Sequence, residues 1–282
     1  MSTISSIHTP IVLTIAGSDS GGGAGIQADI KAISATGGYA CSVITAITAQ
    51  NTQGVSAVFP LQLAVVEQQL DAVFSDIPVL AVKIGMLADA SIITLVAKKL
   101  RQYQPKWIVL DPVMISTSGH HLLAAEAVEM LKRELLPLAN LITPNLPEAA
   151  VLVGMTQQEW QQNPQQGITV LSQLNTPAVL LKGGHDHQQA NSDDLLIQSG
   201  DSRHFCAPRI ATKNTHGTGC SLSSAIASYL AQGAELVEAV DKAKQYIHQA
   251  IAHADQLRIG QGYGPIHHFY LLKMAKSHQK SQ

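Results

Sequence analysis

Short apolar segments alternate with amphipathic segments along most of this 282-residue chain. The apolar segments are rich in Val, Ile and Leu, as strands are, whereas the segments between them carry apolar residues at helical spacing. This alternation predicts an α/β fold with a central, mostly parallel sheet and helices on both faces. The predicted strands are residues 11–16, 42–48, 79–84, 107–110, 141–142 and 178–181, and the predicted helices are residues 26–33, 61–74, 92–103, 122–136, 147–153, 222–231 and 234–257.

The remaining stretches predict edges, connections and ends. Residues 195–198 and 204–210 indicate an exposed antiparallel hairpin at the sheet edge, and the glutamine-rich residues 157–166 indicate a surface connection. Strand 107–110 is apolar on both faces, so we expect it in the sheet interior. We expect one domain over residues 1–282, with flexible ends at residues 1–9 and 274–282.

Composition excludes several classes of protein. Hydrophobic residues make up 46% of the chain and charged residues 13%, which argues against disorder. A net charge of −2 without a basic run provides no footprint for nucleic acid. No apolar run approaches the ~18 residues of a membrane span, and the first residues lack a signal-peptide pattern. We therefore expect a cytoplasmic protein with no membrane or nucleic-acid partner.

A glycine-rich loop, residues 17–25, follows the first predicted strand. The loop is not a Walker A motif, because no lysine occurs before Lys31. Counted from Gly21 and Gly23, the third glycine of a dinucleotide fingerprint would fall at Ile26. Both familiar phosphate loops are therefore excluded here.

Polar residues instead follow the predicted strands at their carboxyl ends, where open α/β sheets bind ligands. They are Asp19, Gln50, Asn51, Asp111, Asn145 with Glu148, and Lys182. Their recurrence at one edge of the sheet predicts a ligand site there.

A second glycine-rich segment, with Thr215, Gly217, Thr218 and Gly219, precedes a small-residue helix. The first N–H groups of a helix lack intrahelical partners and the helix dipole adds positive charge, so this helix start can bind a phosphate. Cys220 falls in the same first turn, where we expect a lowered thiol pKa. The alternative is a tight glycine turn beside a buried small cysteine.

Three charged residues at strand and helix ends suit nucleotide chemistry. Asp111 and Glu148, together with nucleotide phosphates, would make a Mg²⁺ site, because this ion takes few protein ligands. Lys182 would neutralise phosphate as a point charge. Each residue also has an ordinary structural alternative. Asp111 could only form a turn, Glu148 could only complement a helix dipole, and Lys182 could be a surface lysine.

The sequence resembles bacterial hydroxymethylpyrimidine/phosphomethylpyrimidine kinases, members of the ribokinase-like superfamily. The resemblance runs in the family's order over nearly the whole chain. The matching blocks are residues 17–29, 83–87, 111–114, 143–149, 181–185 and 213–220.

This resemblance implies a small-molecule kinase that uses ATP and Mg²⁺. It would phosphorylate hydroxymethylpyrimidine and then its monophosphate in thiamine biosynthesis. The implied site consists of Cys220, Lys182, Gly217 and Gly219 for catalysis, Asp29, Gln50, Met86, Val113 and Gly17 for the pyrimidine, Asn145, Glu148, Lys182, Thr215 and Thr218 for the nucleotide, and Asp111 with Glu148 for the metal. The family often forms dimers, so a homodimer is also expected.

Two departures from the family pattern and two alternative functions stand beside this interpretation. Ser20 replaces the family's usual proline, which should loosen the first loop, and Thr117 stands where many members carry lysine. Thr117 lacks the positive charge that would help to bind the phosphorylated substrate, so this departure weakens the expectation of the second phosphorylation. The alternatives are a pyridoxal or pyridoxine kinase and a non-catalytic vitamin-binding protein.

Overall fold

The structure is a computed structural model that describes residues 9–114, 123–184, 191–198 and 200–272. Within these residues one sheet contains all the strands. The strands are β1 (Ile11–Asp19), β2 (Tyr39–Asn51), β3 (Gly54–Pro60), β4 (Ala81–Ile84), β5 (Trp107–Leu110), β6 (Leu141–Ile142), β7 (Ala178–Lys182), β8 (Asp194–Gln198) and β9 (Asp201–Phe205). The α-helices are α1 (Gly25–Ala35), α2 (Leu63–Asp76), α3 (Ala90–Tyr103), α4 (Ala125–Glu134), α5 (Leu146–Val153), α6 (Gln157–Gln162), α7 (Pro164–Leu171), α8 (Thr218–Ala231) and α9 (Leu236–Ala252).

The strand order is β3-β2-β1-β4-β5-β6-β7-β8-β9. The six strands from β2 to β7 in this order are parallel, whereas β3, β8 and β9 pair antiparallel. The predicted parallel sheet with an antiparallel edge is therefore confirmed, and β5 is interior as expected. The second hairpin strand, expected over residues 204–210, was wrong in its bounds: Gly200, with φ +84°, turns the chain directly into β9, which ends at Phe205.

Alternate strand residues divide the core into two layers. Leu13 and Ile15 of β1 pack with α2, α3, α4 and α5 on one face, whereas Val12 packs with α1, α8 and α9 on the other. This follows from the strand period of two, which points successive side chains to opposite faces. Both faces of the sheet are covered, as the sequence predicts.

One expectation about a connection was wrong, and one strand was missed. Residues 157–166 are largely helical, because Thr156 and Glu159 form a capping box at the start of α6 and Pro164 opens α7. Trp160 is buried, with 5% of its surface exposed, so it anchors this segment to the core. Strand β3, which pairs antiparallel with β2, was not predicted. The expected flexible ends lie outside the described residues, except for Thr9.

The topology brings the predicted site residues to one edge. From β1 the chain crosses to β2 on one side, while β4 pairs with β1 on the other side. The crevice at such a switch point is where open α/β sheets bind ligands. In the described part of the chain, no helix is long and apolar enough to cross a membrane.

Candidate active site

A cavity of about 1050 Å³ lies beyond the carboxyl ends of the parallel strands. All predicted site residues except Asp29 line it: Gly17, Gln50, Met86, Asp111, Val113, Asn145, Glu148, Lys182, Thr215, Gly217, Thr218, Gly219 and Cys220. The structure thus brings together residues from seven separate segments of the chain.

The start of α8 forms an anion-binding end. Gly217, its N-cap, has φ +79°, in the left-handed region that favours glycine. A Cβ at this position would lie 1.8 Å from Gly23 O, so the close approach of the two loops also requires glycine. Because Ser221 N–H donates to Gly217 O, the helix has no acceptor for the N–H groups of Gly219 and Cys220. These two donors remain available to a phosphate.

An ion pair stands beside this helix end. Lys182 Nζ donates to Asp111 Oδ1 at 2.8 Å, and Thr143 Oγ1 donates to the same oxygen at 3.0 Å. A Cβ at Gly219 would lie 3.2 Å from Lys182 Nζ and 3.6 Å from Asp111 Oδ2. The lysine is therefore close enough to the helix start for one phosphate to contact both.

Glu148 is held at the same wall of the cavity by the start of α5. Its carboxylate accepts the N–H of Asn145 at 2.9 Å, while Asn145 Oδ1 accepts the N–H of Glu148 at 2.9 Å. Burial raises the pKa of Glu148 to about 7; Lys182 opposes this rise and the nearby Asp111 adds to it. The raised pKa means that this carboxylate lacks enough positive charge around it.

The lack of positive charge around Glu148 indicates that a cation such as Mg²⁺ fits the site. Asp111 and Glu148 are two acidic groups that share one lysine, and their mutual repulsion would be relieved by a cation. No group of three or more His, Cys, Asp or Glu side chains among the described residues could hold a metal by itself. Two carboxylates fit Mg²⁺, which usually retains waters and takes phosphate oxygens as its other ligands.

Cys220 lines the cavity, but its predicted low pKa was wrong. Burial raises the pKa of the Cys220 thiol to about 11, and the charges of Asp29 and Asp111 add to the rise, whereas Lys83 opposes it. Burial thus outweighs the charge of Lys83, and the resting group is a neutral thiol.

The opposite part of the site is formed around Gln50. Gln50 Nε2 lies 3.2 Å from His216 Nε2, and Gln50 Oε1 lies 3.1 Å from Thr48 Oγ1. These contacts fix a primary amide, with one donor group and one acceptor, at the cavity wall. Met86 packs against the backbone here, because a Cβ at Gly17 would lie 2.6 Å from Met86 Cε.

Asp29 does not lie where the resemblance implied. It is fully buried in α1 and does not line the cavity. Its carboxylate accepts hydrogen bonds from Thr14, Ser224 and Lys83 at 2.6 to 2.9 Å. These partners hold the side chain in the core beneath the cavity floor.

His216 was missed as a site residue, and Asp19 was expected at the site without a role. His216 Nε2 lies 3.0 Å from Asp19 Oδ2, and that carboxylate also accepts the N–H groups of Gly23 and Ala24. The position of Asp19 at the end of β1 was a sequence signal for it. His216 had none beyond its place next to Gly217. Basic residues at the far part of the cavity were also missed: Arg209, Lys213, Lys244 and His248.

The substitution at Ser20 does not loosen the first loop. Ser20 Oγ donates to Gln50 O at 2.7 Å and accepts the N–H of Gln50 at 2.9 Å. The side chain therefore ties the glycine loop to β2 and helps to fix Gln50. Thr117 and His185 lie outside the described residues.

Residues 19–267 match the family model described as phosphomethylpyrimidine kinase. The match spans most of the chain and includes every residue of the ion-pair and helix-start geometry above. The chain belongs to the phosphomethylpyrimidine kinase family. The hydroxymethylpyrimidine/phosphomethylpyrimidine kinase of Rhizobium meliloti is 52% identical over 262 residues, which cover 93% of this chain and 98% of the relative.

Solved structures agree with this membership. The phosphomethylpyrimidine kinase of Clostridium difficile is similar, with TM-score 0.72, 47% identity, and coverage of 86% of this chain and 99% of that one. The pyridoxal kinase of Bacillus subtilis, solved as an ADP complex, gives TM-score 0.85 at 35% identity and covers 94% of this chain and 99% of that one. The predictions of a ribokinase-like fold and a small-molecule kinase that uses ATP are confirmed.

Proposed function

We propose that the chain phosphorylates 4-amino-5-hydroxymethyl-2-methylpyrimidine with Mg-ATP, and then phosphorylates the monophosphate to the diphosphate. These steps would supply the pyrimidine half of thiamine. One observation carries the proposal: a single cavity holds a phosphate-binding helix start with Lys182 and Asp111, and a fixed Gln50 amide. The first group suits a transferred phosphoryl group, and the second suits an aminopyrimidine edge.

The phosphoryl-transfer groups act by alignment and charge. Phosphoryl transfer proceeds through a loose transition state in which little covalent chemistry is asked of the protein. The free N–H groups of Gly219 and Cys220, together with the Lys182 ammonium, can hold the negative oxygens of the transferred group. Asp111 and Glu148 would hold Mg²⁺, which when bound neutralises charge on the nucleotide phosphates.

Cys220 is placed to orient the substrate hydroxyl. Its thiol is neutral at rest, so it does not ionise the hydroxyl beforehand. In a loose transition state the hydroxyl proton leaves late and can pass to an oxygen of the transferred phosphoryl group, so the sulfur need only direct the hydroxyl until then. The same helix start that carries Cys220 binds the phosphoryl group, so acceptor and donor are aligned by one element.

The ring would be recognised by its polar edge and its flat faces. An aminopyrimidine presents a ring-nitrogen acceptor beside an amine donor, and the Gln50 amide offers the matching pair. Met86 and Val113 supply apolar walls on the cavity. Because phosphorylation changes the hydroxymethyl group and leaves the ring nitrogen and the amine unchanged, the monophosphate can bind by the same contacts.

The competing substrate is pyridoxal, which related kinases of this fold phosphorylate. The test is ADP release with hydroxymethylpyrimidine, its monophosphate and pyridoxal as separate substrates. We expect both pyrimidines to give a higher kcat/KM than pyridoxal. A higher kcat/KM with pyridoxal would assign the chain to the alternative, and binding without turnover would assign it to the vitamin-binding proteins.

We also propose that residues 1–282 form one kinase domain that assembles as a homodimer. The single sheet of the described strands supports one domain. The cross-strand pair Ile47 and Phe59 is exposed, 40% and 60% respectively, and gives β2 and β3 an apolar surface that a second copy could cover. Analytical ultracentrifugation of the wild type and of Phe59→Lys tests the dimer, which the charged side chain should weaken.

A further inference from the structure

A fully buried ion pair lies below the cavity and has no part in the chemistry described so far. Lys83 Nζ lies 2.9 Å from both carboxylate oxygens of Asp29, and neither side chain is exposed. Lys83 interrupts a strand, β4, that is otherwise apolar. Burial of two charges is costly, and apolar residues of similar volume often stabilise a fold equally well. Stability alone therefore does not account for this pair.

The pair lies one helical turn from Cys220. On α8, Cys220 and Ser224 are four residues apart and share one face. On α1, the same spacing separates Gly25 and Asp29. Helices α1 and α8 contact each other along this face, and Ser224 Oγ donates to Asp29 Oδ1 at 2.8 Å. On α8 the Cys220 thiol therefore lies one turn before Ser224, the residue that contacts the Asp29–Lys83 ion pair.

Lys83 is the cation on the inner side of this thiol. A Cβ at Gly85 would lie 2.7 Å from Lys83 Nζ and 3.0 Å from Ala16 Cβ, which places the ammonium under the cavity floor. The other charged groups that act on Cys220 are the acidic Asp29 and Asp111, which disfavour a thiolate, and the cation Lys182. Lys182 is paired with Asp111 at the cavity wall, whereas Lys83 is the cation beneath the cavity floor.

We propose that Lys83, held in place by Asp29, is a positioning residue that stabilises negative charge on the Cys220 sulfur. Its direct effect is on thiol reactivity, which is a property of the protein without substrate. Its effect on turnover rests on the proposed function, in which this sulfur accepts the hydrogen bond that orients the substrate hydroxyl.

The test is alkylation of the folded protein by iodoacetamide over a pH series, with each cysteine quantified by peptide mass spectrometry. Thiolate is the reacting form, and a pKa higher by one lowers its fraction about tenfold at a pH below the pKa. We expect Lys83→Met to slow the alkylation of Cys220 by about tenfold or more at pH 8. We expect Asp29→Asn to accelerate it, because an acidic neighbour is removed while the lysine stays.

Two other cysteines serve as controls inside the same chain. Cys206 is exposed and should react at the wild-type rate in every variant, whereas Cys41 is buried and reacts only when the fold opens. If Cys41 becomes reactive in Lys83→Met, the fold of that variant has opened, and Asp29→Asn alone then tests the proposal. The double variant, which is neutral like the native pair, should fall between the two single variants.

Unchanged alkylation of Cys220 in a folded Lys83→Met variant overturns the proposal. So does any result in which both single variants change its reactivity in the same direction, or in which Asp29→Asn slows it or leaves it unchanged. The pH profile of kcat separates this inference from the proposed function. If the alkylation rates change as expected while the kcat profile does not, the charge effect stands and the role of Cys220 in turnover fails.

Discussion

Glu148→Gln should change how the stability of the protein depends on pH. Glu148 is 3% exposed, and its pKa rises from an ordinary 4.5 to about 7 in the fold. A carboxyl with a raised folded-state pKa takes up a proton on folding. Its contribution to stability is therefore full below pH 4.5 and is lost as pH rises towards 7.

The magnitude follows from the two pKa values. A rise from 4.5 to about 7, at ~1.36 kcal/mol for each pH unit, corresponds to about 3 kcal/mol. Glutamine has no proton to lose, and its amide oxygen can still accept the N–H of Asn145 in the capping box. The variant should thus gain about 3 kcal/mol relative to the wild type between pH 4.5 and pH 7.5, and no more above that.

The assay is urea denaturation of both proteins without nucleotide or metal at several pH values, with ΔG of unfolding compared at each. Glu159→Gln is the matched control, because Glu159 occupies the same position in the capping box of α6. The pKa of Glu159 is lowered by hydrogen bonds from Thr156, so the control should lack the gain. A difference between Glu148→Gln and wild type that stays constant from pH 4.5 to pH 8 would refute the reasoning.

The remaining predictions concern turnover and binding. Cys220→Ala should lower kcat strongly with little change in pyrimidine affinity, and Cys220→Asp should retain more activity than alanine; a native kcat in Cys220→Ala, measured by ADP release, would leave Cys220 as a packing residue. Gln50→Ala should weaken hydroxymethylpyrimidine binding by roughly 1–3 kcal/mol in calorimetry, because the polar edge of the ring loses its partner; native affinity contradicts this. Asp111→Asn should raise the Mg²⁺ concentration needed for half-maximal activity more than it weakens pyrimidine binding, and an unchanged magnesium dependence would remove Asp111 from the metal site.

The sheet could be predicted from sequence because its strands are short, apolar and separated by amphipathic helices. Strands β5 and β6 match residues 107–110 and 141–142 at both ends. Strand β3 was missed because its exposed residues lack the buried pattern of the other strands. The helices of residues 157–171 were missed because their glutamine-rich composition resembles that of a surface loop. The capping box and the buried Trp160 were the signals of helix and core contact that this composition outweighed.

The candidate site could be predicted where a residue type at a strand end has one obvious use. Asp111 and Lys182 do meet at the start of α8, at 2.8 Å from each other. The ionisation of Cys220 could not be predicted, because it depends on burial and on charges from three other elements. Nor could the position of Asp29, since the lysine that holds it lies 54 residues further along the chain.

The most direct test of the proposed function is product identification after incubation with ATP, Mg²⁺ and hydroxymethylpyrimidine. Mass spectrometry and ³¹P NMR distinguish the monophosphate from the diphosphate. We expect the monophosphate to appear first and the diphosphate to accumulate from it, with one ADP released at each step. Accumulation of the monophosphate alone would contradict the second phosphorylation, and absence of any phosphorylated pyrimidine would contradict the proposed function itself.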